Sequence, residues 1–420
     1  MTPFSARRVL RNRLARALIL IFIIWTSIEL HLIQRQICEA ENNAVRHHPQ
    51  KRERIYIASI NWNNELVLRS HWNKALLRLV SQLGPDNVFV SIYESGSYDN
   101  TKGALRELDW ELERLRVPRN ITLSYVTHED EIAAPARGKG WIEAPGGKTQ
   151  LRRIPYLARI RNLGLLPLHD LARKGIVFDK VLFLNDVVFT QPSDVFELLN
   201  TNSGEYGAAC SLDFSKPPHY YDTFALRDSK GNEAIMQTWP YFGSAVSRHA
   251  IKHMAPVPVT SCWNGMGMDH SFLYVIGFNF YLVAMPAKPF LASPPLRFRG
   301  IPDSLATLHL EGSECCLIHV DNPLSVEKGV YLNPLVRVGY NGPAYAAVHP
   351  MMNWLSTWGI LQGLWVNRFH RLYDTSWLKV EGIRKRVDGW RRLDSKNHED
   401  GHICIINEMQ VLHRYGWIHV

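Results

Sequence analysis

The polar pair that ends one apolar segment is the strongest candidate for chemistry in this sequence. Asn185 and Asp186 directly follow the apolar run 180–184. A carboxylate at the end of a buried strand is costly unless it is paired or binds a metal. Asp186, helped by Asn185, could hold Mn²⁺ or Mg²⁺, because these cations prefer oxygen ligands and share them with diphosphates. An Asx turn that closes the strand explains the same residues equally well.

A late segment, HLEGSECCLIHVDNP, collects acids and histidines. Its second histidine, His319, could complete the metal site, although a hydrogen-bonded structural histidine is as plausible. Glu311 and Glu314 are candidates for a general base, and the pattern does not separate them. Asp303, a short distance upstream, is a further candidate catalytic acid.

Polar residues also follow the first two predicted strands, at the point where each strand ends. In a parallel sheet these positions share one edge, where ligands bind. The second group opens a helix whose N-terminus offers backbone N–H groups to an anion, although a capped strand-to-helix turn is the alternative. Two arginines upstream of residue 180 could face a diphosphate or lie on a solvated helix face. The candidate nucleotide-binding residues are Asn61, Glu94, Ser95, Asp99, Arg159 and Arg161.

Strands alternate with helices from Arg54 onward, and this order would bring the polar groups together. Such βαβ repetition predicts a parallel sheet covered by helices. Helical periodicity predicts helices over 65–83, 101–116 and 153–171. The predicted strands are 55–60, 87–92, 121–126 and 180–184, with later strands at 206–212 and 315–320.

The N-terminus predicts a membrane anchor. Residues 17–28 form an apolar run, and five arginines precede it, an asymmetry that places the N-terminus in the cytosol. A cleaved signal peptide and a buried core helix are the alternatives. We expect a cytosolic tail (1–16), a transmembrane signal anchor (17–33), a luminal stem (34–54), an α/β domain (55–350) and a C-terminal extension packed on that domain (351–420).

Composition narrows the class of protein. Hydrophobic residues make up 46% of the chain and charged residues 21%, which excludes disorder over most of the length. The net charge of +9 favours anionic partners, but neither zinc-finger spacing nor an RNA-binding signature is present, so nucleic acid is not an expected partner. The six cysteines include no CxxC pair, and one or two disulfides are expected.

Several segments resemble the fungal capsule-associated mannosyltransferase family, typified by cryptococcal α-1,3-mannosyltransferase. The resemblance covers about residues 54–420. The segments that carry it include NWNNE, SIYESGSYDNTKGAL, RRIPYLARIRN, FDKVLFLNDVVF, AACSLDFSKPPHYYDTFALRDSKG, LRFRGIPDSLA and HLEGSECCLIHVDNP.

This resemblance implies a single-pass type II Golgi membrane protein whose luminal domain is a GT-A-like nucleotide-sugar transferase. It implies a divalent metal, a GDP-mannose donor and a mannose-containing acceptor glycan. An α-1,3 linkage, made with retention at the sugar carbon in cell-wall, capsule or glycan synthesis, is also implied. Because the metal motif has only one aspartate, a non-catalytic carbohydrate-binding or scaffold protein of a polysaccharide-assembly complex is the alternative.

One segment departs from the family pattern. Removing residues 267–282 joins Met266 to Val283 and gives CWNGMVAMPAKPF, which fits the family. We therefore predict that this segment is dispensable and is a retained in-frame intron. A hydrophobic loop, too short to span a membrane, is the alternative.

Overall fold

Strands and helices alternate through the computed structural model, which describes residues 13–44, 53–136, 138–144, 147–263, 282–350 and 353–420. The strands are β1 (Ile55–Asn61), β2 (Val88–Ser95), β3 (Arg119–Ser124), β4 (Trp141–Ala144), β5 (Lys148–Leu151), β6 (Lys180–Leu184), β7 (Ala208–Lys216), β8 (His219–Tyr220), β9 (Arg227–Asp228), β10 (Val257–Ser261), β11 (Leu282–Pro286), β12 (Glu311–Gly312), β13 (Val330–Gly339), β14 (Ile405–Ile406), β15 (Gln410–His413) and β16 (Gly416–His419). The α-helices longer than three residues are α1 (Arg13–Ala44), α2 (Asn73–Leu83), α3 (Thr101–Arg114), α4 (His128–Ala133), α5 (Arg153–Arg173), α6 (Pro192–Leu199), α7 (Ala245–Lys252), α8 (Asp303–Ala306), α9 (Glu314–Asp321), α10 (Pro323–Lys328), α11 (Gly342–Val348), α12 (Thr357–Leu372) and α13 (Ser376–Leu393). The helix predicted at 65–83 begins with an α-helical turn (Glu65–Val67) and a π-helical turn (Leu68–Trp72) before α2.

Within the described residues, a sheet of ten strands has the order β3-β2-β1-β6-β11-β7-β13-β10-β9, with β8 paired to β7. The first four strands of this order are parallel neighbours. β11 runs antiparallel to both β6 and β7, so β7 and its parallel neighbour β13 point the same way as β6. The carboxyl ends of β1, β2, β6, β7 and β13 therefore share one edge. The predicted α/β class with a mostly parallel sheet is confirmed.

The central strands are buried on both faces. On β6, Val181 and Phe183 join the core beneath α5, whereas Leu182 and Leu184 join the core beneath α2 and α3. A strand covered on both sides has no solvated face, which is why these strands appear in the sequence as unbroken apolar runs.

The N-terminal helix α1 is long and apolar enough to cross a membrane, a test that signal sequences also pass. Its N-terminal half is largely exposed, whereas Ile33 and Ile37 pack into the core of the domain. The helix continues to Ala44, so residues 34–44 of the predicted stem are helical and lie against the domain.

The C-terminal residues pack on the α/β domain through a helical pair and short strands. Val411 of β15 forms a bridge with Arg152 at the start of α5. A disulfide joins Cys404 to Cys316 of α9. A second disulfide joins Cys210 of β7 to Cys262, and both suit an oxidising compartment.

Two strand predictions in the second half differ from the structure. Residues 315–320 belong to helix α9, where the Ser313 side chain caps the helix by accepting from the Cys315 backbone N–H at 3.2 Å. An apolar run of this length does not distinguish a buried helix from a buried strand.

The strand predicted at 206–212 is β7, which starts two residues later and extends to Lys216. Residues 267–281 of the segment predicted to be dispensable lie outside the described residues, and Leu282 begins β11.

Candidate functional site

The loop after β6 holds Asp186 in the protein interior, at the carboxyl edge of the sheet. Its side chain is fully buried. The Asn64 side-chain amide donates to Oδ2, while Oδ1 has no hydrogen-bond partner among the described residues. Burial raises the pKa of Asp186 well above its ordinary range. A carboxylate in this state lacks a counter-charge, and a divalent cation would supply one.

Asn185 closes the end of β6. Its Oδ1 accepts from the Ile60 backbone N–H at 2.9 Å, and its carbonyl accepts from the Trp72 indole N–H at 2.5 Å. Two residues further on, the Val188 backbone N–H donates to the Gly339 carbonyl at 2.8 Å. These bonds fix the Asp186 loop to β1 and β13. The metal role of Asn185 stays a prediction.

Asn64 connects the loop after β1 to the loop after β2 and to Asp186. Its backbone N–H donates to Thr101 Oγ1 at 2.7 Å, at the start of α3, while its side chain reaches Asp186. Asp99 accepts from the backbone N–H groups of Thr101 at 3.0 Å and Glu65 at 3.1 Å. Asp99 therefore holds the turn before the helix, although the N-cap residue Asn100 makes no side-chain capping bond, and a nucleotide contact by Asp99 stays a prediction.

The side chains at the ends of β1 and β2 are buried. Glu94 pairs with Lys102 of α3 at 3.1 Å and accepts from the Ser97 backbone N–H at 2.5 Å, so its charge is compensated by the start of that helix. Asn61 donates to Ser59 Oγ at 3.0 Å, and its Oδ1 has no hydrogen-bond partner among the described residues. Ser95, the last residue of β2, is also buried. Of this group, Asn61 has the polar atom best suited to a ligand.

Glu311 lies in a buried ion pair with Arg152. The guanidinium donates to the two carboxylate oxygens at 2.6 and 3.1 Å, and neither side chain is exposed. Asp303 accepts from the same guanidinium at 2.7 Å and remains 30% exposed. Two of the three predicted catalytic acids thus neutralise one arginine, and their catalytic role stays a prediction.

Glu314 pairs with Arg161, and both side chains are buried at an N–O distance of 3.0 Å. Arg159 points elsewhere: it is 50% exposed and pairs with Glu131 at 2.6 Å. Arg159 and Asp303 line an open cleft of about 840 Å³. Two arginines two positions apart on a helix do not face the same direction, so they do not meet one diphosphate from the same face of α5.

His319 lies beside the Cys210–Cys262 disulfide. Its Nε2 is 2.6 Å from the Cys262 carbonyl, and burial lowers its pKa to about 4, so it is neutral. The two sulfurs nearby are oxidised and offer no thiolate to a metal. The described contacts of His319 are with Cys262 and Trp263 rather than Asp186, and its metal role stays a prediction.

Asp213 and Asp222 are site candidates that the sequence pattern did not distinguish from other loop acids. Asp213, fully buried near the end of β7, accepts from the Tyr340 hydroxyl at 3.0 Å and from the Asp222 backbone N–H at 3.5 Å. Burial raises the pKa of Asp213 to about 7. β7 and β13 end at the same edge as β6, so Asp213 and Asp186 occupy the same edge of the sheet. The signal available in the sequence was the position of Asp213 at the carboxyl end of a predicted strand.

A buried arginine links this acid cluster to Glu314. Arg153 is fully buried, and burial lowers its pKa to about 10 against the opposing charges of Glu314 and Asp222. Its guanidinium also donates to the Gln410 side chain in β15. Glu314 and Asp222 therefore both act on the charge of Arg153.

No curated protein matches this sequence. A Pyrobaculum calidifontis mannosyltransferase solved with GDP-Man and Mn²⁺ is similar, with 11% identity, a TM-score of 0.36, and coverage of 77% of this chain and 69% of that chain. Glucosyl-3-phosphoglycerate synthase from M. tuberculosis has 13% identity and a TM-score of 0.30, with coverage of 80% and 84%.

A family model gives the stronger match. The family described as cryptococcal mannosyltransferase 1 matches residues 54–321, which is more than half of the chain. This range includes β1, β2, β6 and β7, whose carboxyl ends carry Asn64, Asp186 and Asp213. The chain therefore belongs to the cryptococcal mannosyltransferase 1 family of glycosyltransferases.

Proposed function

We propose that this protein transfers mannose from GDP-mannose to a mannose-containing acceptor, with Mn²⁺ or Mg²⁺ held by Asp186. The observation that carries the proposal is Asp186 Oδ1, a buried carboxylate oxygen without a described hydrogen-bond partner at the ligand edge of the sheet. Membership of a mannosyltransferase family supports mannose as the transferred sugar. The resemblance of the sequence to that family implies an α-1,3 linkage made with retention at the sugar carbon.

Asp186 and Asn64 would act together in metal binding. Because the Asn64 amide donates to Oδ2, it fixes the carboxylate and leaves Oδ1 for a cation. When bound, the cation would neutralise the diphosphate leaving group as the sugar–phosphate bond breaks. The role of Asn64 is to orient the ligand, and the role of Asp186 is to bind the ion.

The loops after β1 and β2 would bind the nucleotide. Asn61 offers a buried oxygen to the donor, and the N-terminus of α3 offers backbone N–H groups to its phosphates. Glu94 pairs with Lys102, and Asp99 accepts from the Thr101 backbone N–H, so both acids stabilise the conformation of the loop after β2. We therefore assign Glu94 and Asp99 a positioning role.

Asp213 is the group best suited to exchange a proton with the acceptor. A pKa of about 7 matches the requirement of an acid–base group at neutral pH, and the Tyr340 hydroxyl holds its carboxyl in place. Glu311 is compensated by Arg152 and is a weaker candidate for the same task. Glu314 remains the alternative among the acids predicted from sequence.

We further propose that α1 anchors the protein in the Golgi membrane with its N-terminus in the cytosol. The arginines before the apolar run support this orientation, and the two disulfides support an oxidising lumen around the domain.

Asp186→Asn tests the metal site, because asparagine is nearly isosteric and still able to close the turn. We expect a folded protein without Mn²⁺-dependent thermal stabilisation by GDP-mannose and without mannose transfer. Asp194→Asn is the matched control: its carboxyl is partly buried, has a pKa raised to about 6, and accepts from the Tyr345 hydroxyl at 2.8 Å. Donor binding in this control should match that of the unmodified chain.

The same assay separates the alternatives. Full activity of Asp186→Asn would refute the metal role. Stabilisation of the unmodified chain by GDP-mannose with no turnover over a range of mannoside acceptors would favour the non-catalytic binding protein. A preference for UDP-sugars would overturn the donor and leave glycosyl transfer intact.

A further inference from the structure

The helical pair α12–α13 extends from the domain alongside α1. At the start of α12, the Gln34 amide donates to Thr357 Oγ1 at 2.5 Å. Further along α12, the Trp365 ring lies 4.6 Å from the Phe22 ring and 6.1 Å from the Trp25 ring. Residue numbers rise along α12 as they fall along α1, so the two helices are antiparallel. The C-terminal end of α12 is therefore level with the apolar run of α1.

Glu29 of α1 forms ion pairs with the surface of the domain. Its carboxylate pairs with Lys252 of α7 at 2.9 Å and with Arg368 of α12 at 2.5 Å. An acid that interrupts an apolar run is thus neutralised by two cations of the domain surface. Apart from the buried Thr26, the residues 17–28 of α1 are exposed, and the end of α12 extends in the same direction.

The tip of the pair, residues 369–380, is exposed at every position. It is also rich in large apolar side chains, with Leu372 75%, Tyr373 79% and Trp377 62% exposed. The other large apolar side chains of the tip are Phe369, Leu378 and Val380, each more than half exposed. So many exposed apolar side chains in one short segment indicate an interaction surface.

The turn at the tip is also suited to an apolar environment. Two of its backbone N–H groups find partners within the turn: the Ser376 N–H donates to Asp374 Oδ1 at 2.8 Å, and the Leu378 N–H donates to the Thr375 carbonyl at 3.0 Å. Tryptophan, tyrosine and basic residues are the side chains typical of the membrane–water interface. The tip carries Trp377, Tyr373, Arg371 and Lys379.

We propose that residues 369–380 form a second membrane contact, which inserts alongside the apolar run of α1 into the bilayer that α1 spans. The occupant is a phospholipid surface, because α1 brings this apolar tip to the level of its own apolar run. The proposal rests on the proposed anchoring by α1. With two contacts, the domain would be held in one orientation to the membrane rather than tethered on a flexible stem.

Spin-label accessibility in the full chain tests this contact. On a Cys38→Ser background, which removes the exposed free thiol, nitroxide labels are placed by Leu20→Cys, Tyr373→Cys and Trp110→Cys. The first site reports on α1, and Trp110, on α3, is the matched exposed control at 61%. In phosphatidylcholine nanodiscs, we expect the ratio of collisions with O₂ to collisions with a water-soluble nickel complex to be several-fold higher at positions 20 and 373 than at 110.

Each other outcome overturns the proposal in a distinct way. A ratio at position 373 equal to that at 110, with position 20 in lipid, would remove the second contact and leave the anchor. Aqueous values at both 20 and 373 would remove the anchor and the contact together. Dipolar broadening between labels at 373 would show that a second copy covers the tip. Leu378→Cys repeats the measurement if Tyr373→Cys does not fold.

Discussion

The buried carboxyl of Asp213 lowers the free energy of unfolding at neutral pH, and its raised pKa suits it to proton transfer. Its folded-state pKa is about 7, above the value of about 3.9 for an aspartate in an unfolded chain. The folded state therefore binds a proton more tightly, and the resulting stability is present at low pH and lost as the pH rises from about 4 through about 7. At neutral pH the ionised carboxylate destabilises the fold.

Asp213→Asn should therefore stabilise the protein and impair transfer. We expect a gain of about 1–3 kcal/mol at pH 8 and a smaller gain at pH 5, because the native carboxyl is already protonated there. Thermal unfolding at the two pH values in the presence of a chelator measures this. Asp170→Asn, at an exposed carboxyl that pairs with Arg173, is the matched control. Equal shifts at both pH values would contradict the assignment of the titrating group.

Glu311→Gln distinguishes a structural from a catalytic acid. Removing Glu311 from this buried pair leaves the Arg152 charge with the partly exposed Asp303 as its remaining acidic partner, a loss of about 3 kcal/mol. We expect a strongly lowered melting temperature, whereas Asp303→Asn, at the partly exposed side of the same arginine, should cost about 1 kcal/mol. A Glu311→Gln protein that melts normally and has lost mannose transfer would restore the catalytic prediction.

The position of Asp186 at the edge of the sheet could be predicted from the sequence. The arginine partners of Glu311 and Glu314 could not. Asp186 follows a strand whose bounds were predicted correctly, and chain order alone places that strand end at the ligand edge. The pairs Arg152–Glu311 and Arg161–Glu314 join residues 159 and 153 positions apart. No local pattern carries information about contacts at such separations, so the same acids resembled free catalytic groups in the sequence.

At the scale of elements, the predicted strands and helices agree with the structure where the apolar residues of the sequence have a clear period or a clear boundary. β1, β2 and β6 are apolar runs bounded by polar residues, and α3 has a single apolar face. The prediction for the residues of α9 was wrong because most of them are buried, so the apolar positions show no helical period. Its cap at Ser313 was the local signal for a helix, since a serine that starts an apolar run favours a helix N-terminus.

The segment 267–282 is predicted to be dispensable, and the strands around it support closure. The Trp263 ring lies 5.1 Å from the Phe183 ring, and Phe183 pairs directly with Val283 across β6 and β11. After deletion, Asn264–Met266 would connect Trp263 to Val283, a link that spans at most about 14 Å when extended. Met266 would then replace Leu282 as the apolar residue before Val283.

We expect the deletion variant to fold with a melting temperature close to that of the full chain and to retain GDP-mannose binding. Sequencing of the mature transcript and thermal unfolding of both forms test this. Unfolding of the variant, together with a transcript that contains the segment, would establish a structural loop instead. A matched control deletes the same number of residues from α12, which should abolish folding.

At the scale of the whole molecule, we predict that the C-terminal extension is required for the domain to fold. Cys404 is joined to Cys316, and Gln410 accepts from the buried Arg153. We expect a chain that ends at residue 350 to aggregate. The double variant Cys316→Ser, Cys404→Ser should fold with a loss of about 2–5 kcal/mol, as for removal of a disulfide that closes a long loop. Denaturant unfolding measures the loss, and a soluble, active 1–350 chain would show that the extension is separate.

Three observations favour a luminal position of the domain of this molecule. Arginines precede the apolar run of α1, two disulfides lie in the domain, and Asn120 of the sequon Asn120-Ile121-Thr122 is exposed on edge strand β3. A luminal domain would meet both disulfide-forming conditions and the glycosylation machinery, whereas a cytosolic domain would meet neither. In sealed microsomes we expect the domain to resist added protease until detergent is present. Alkaline carbonate should leave the chain in the membrane, and any glycan-dependent shift in mobility should disappear in Asn120→Gln. Release by carbonate would remove the anchor, and digestion of the domain without detergent would reverse its orientation.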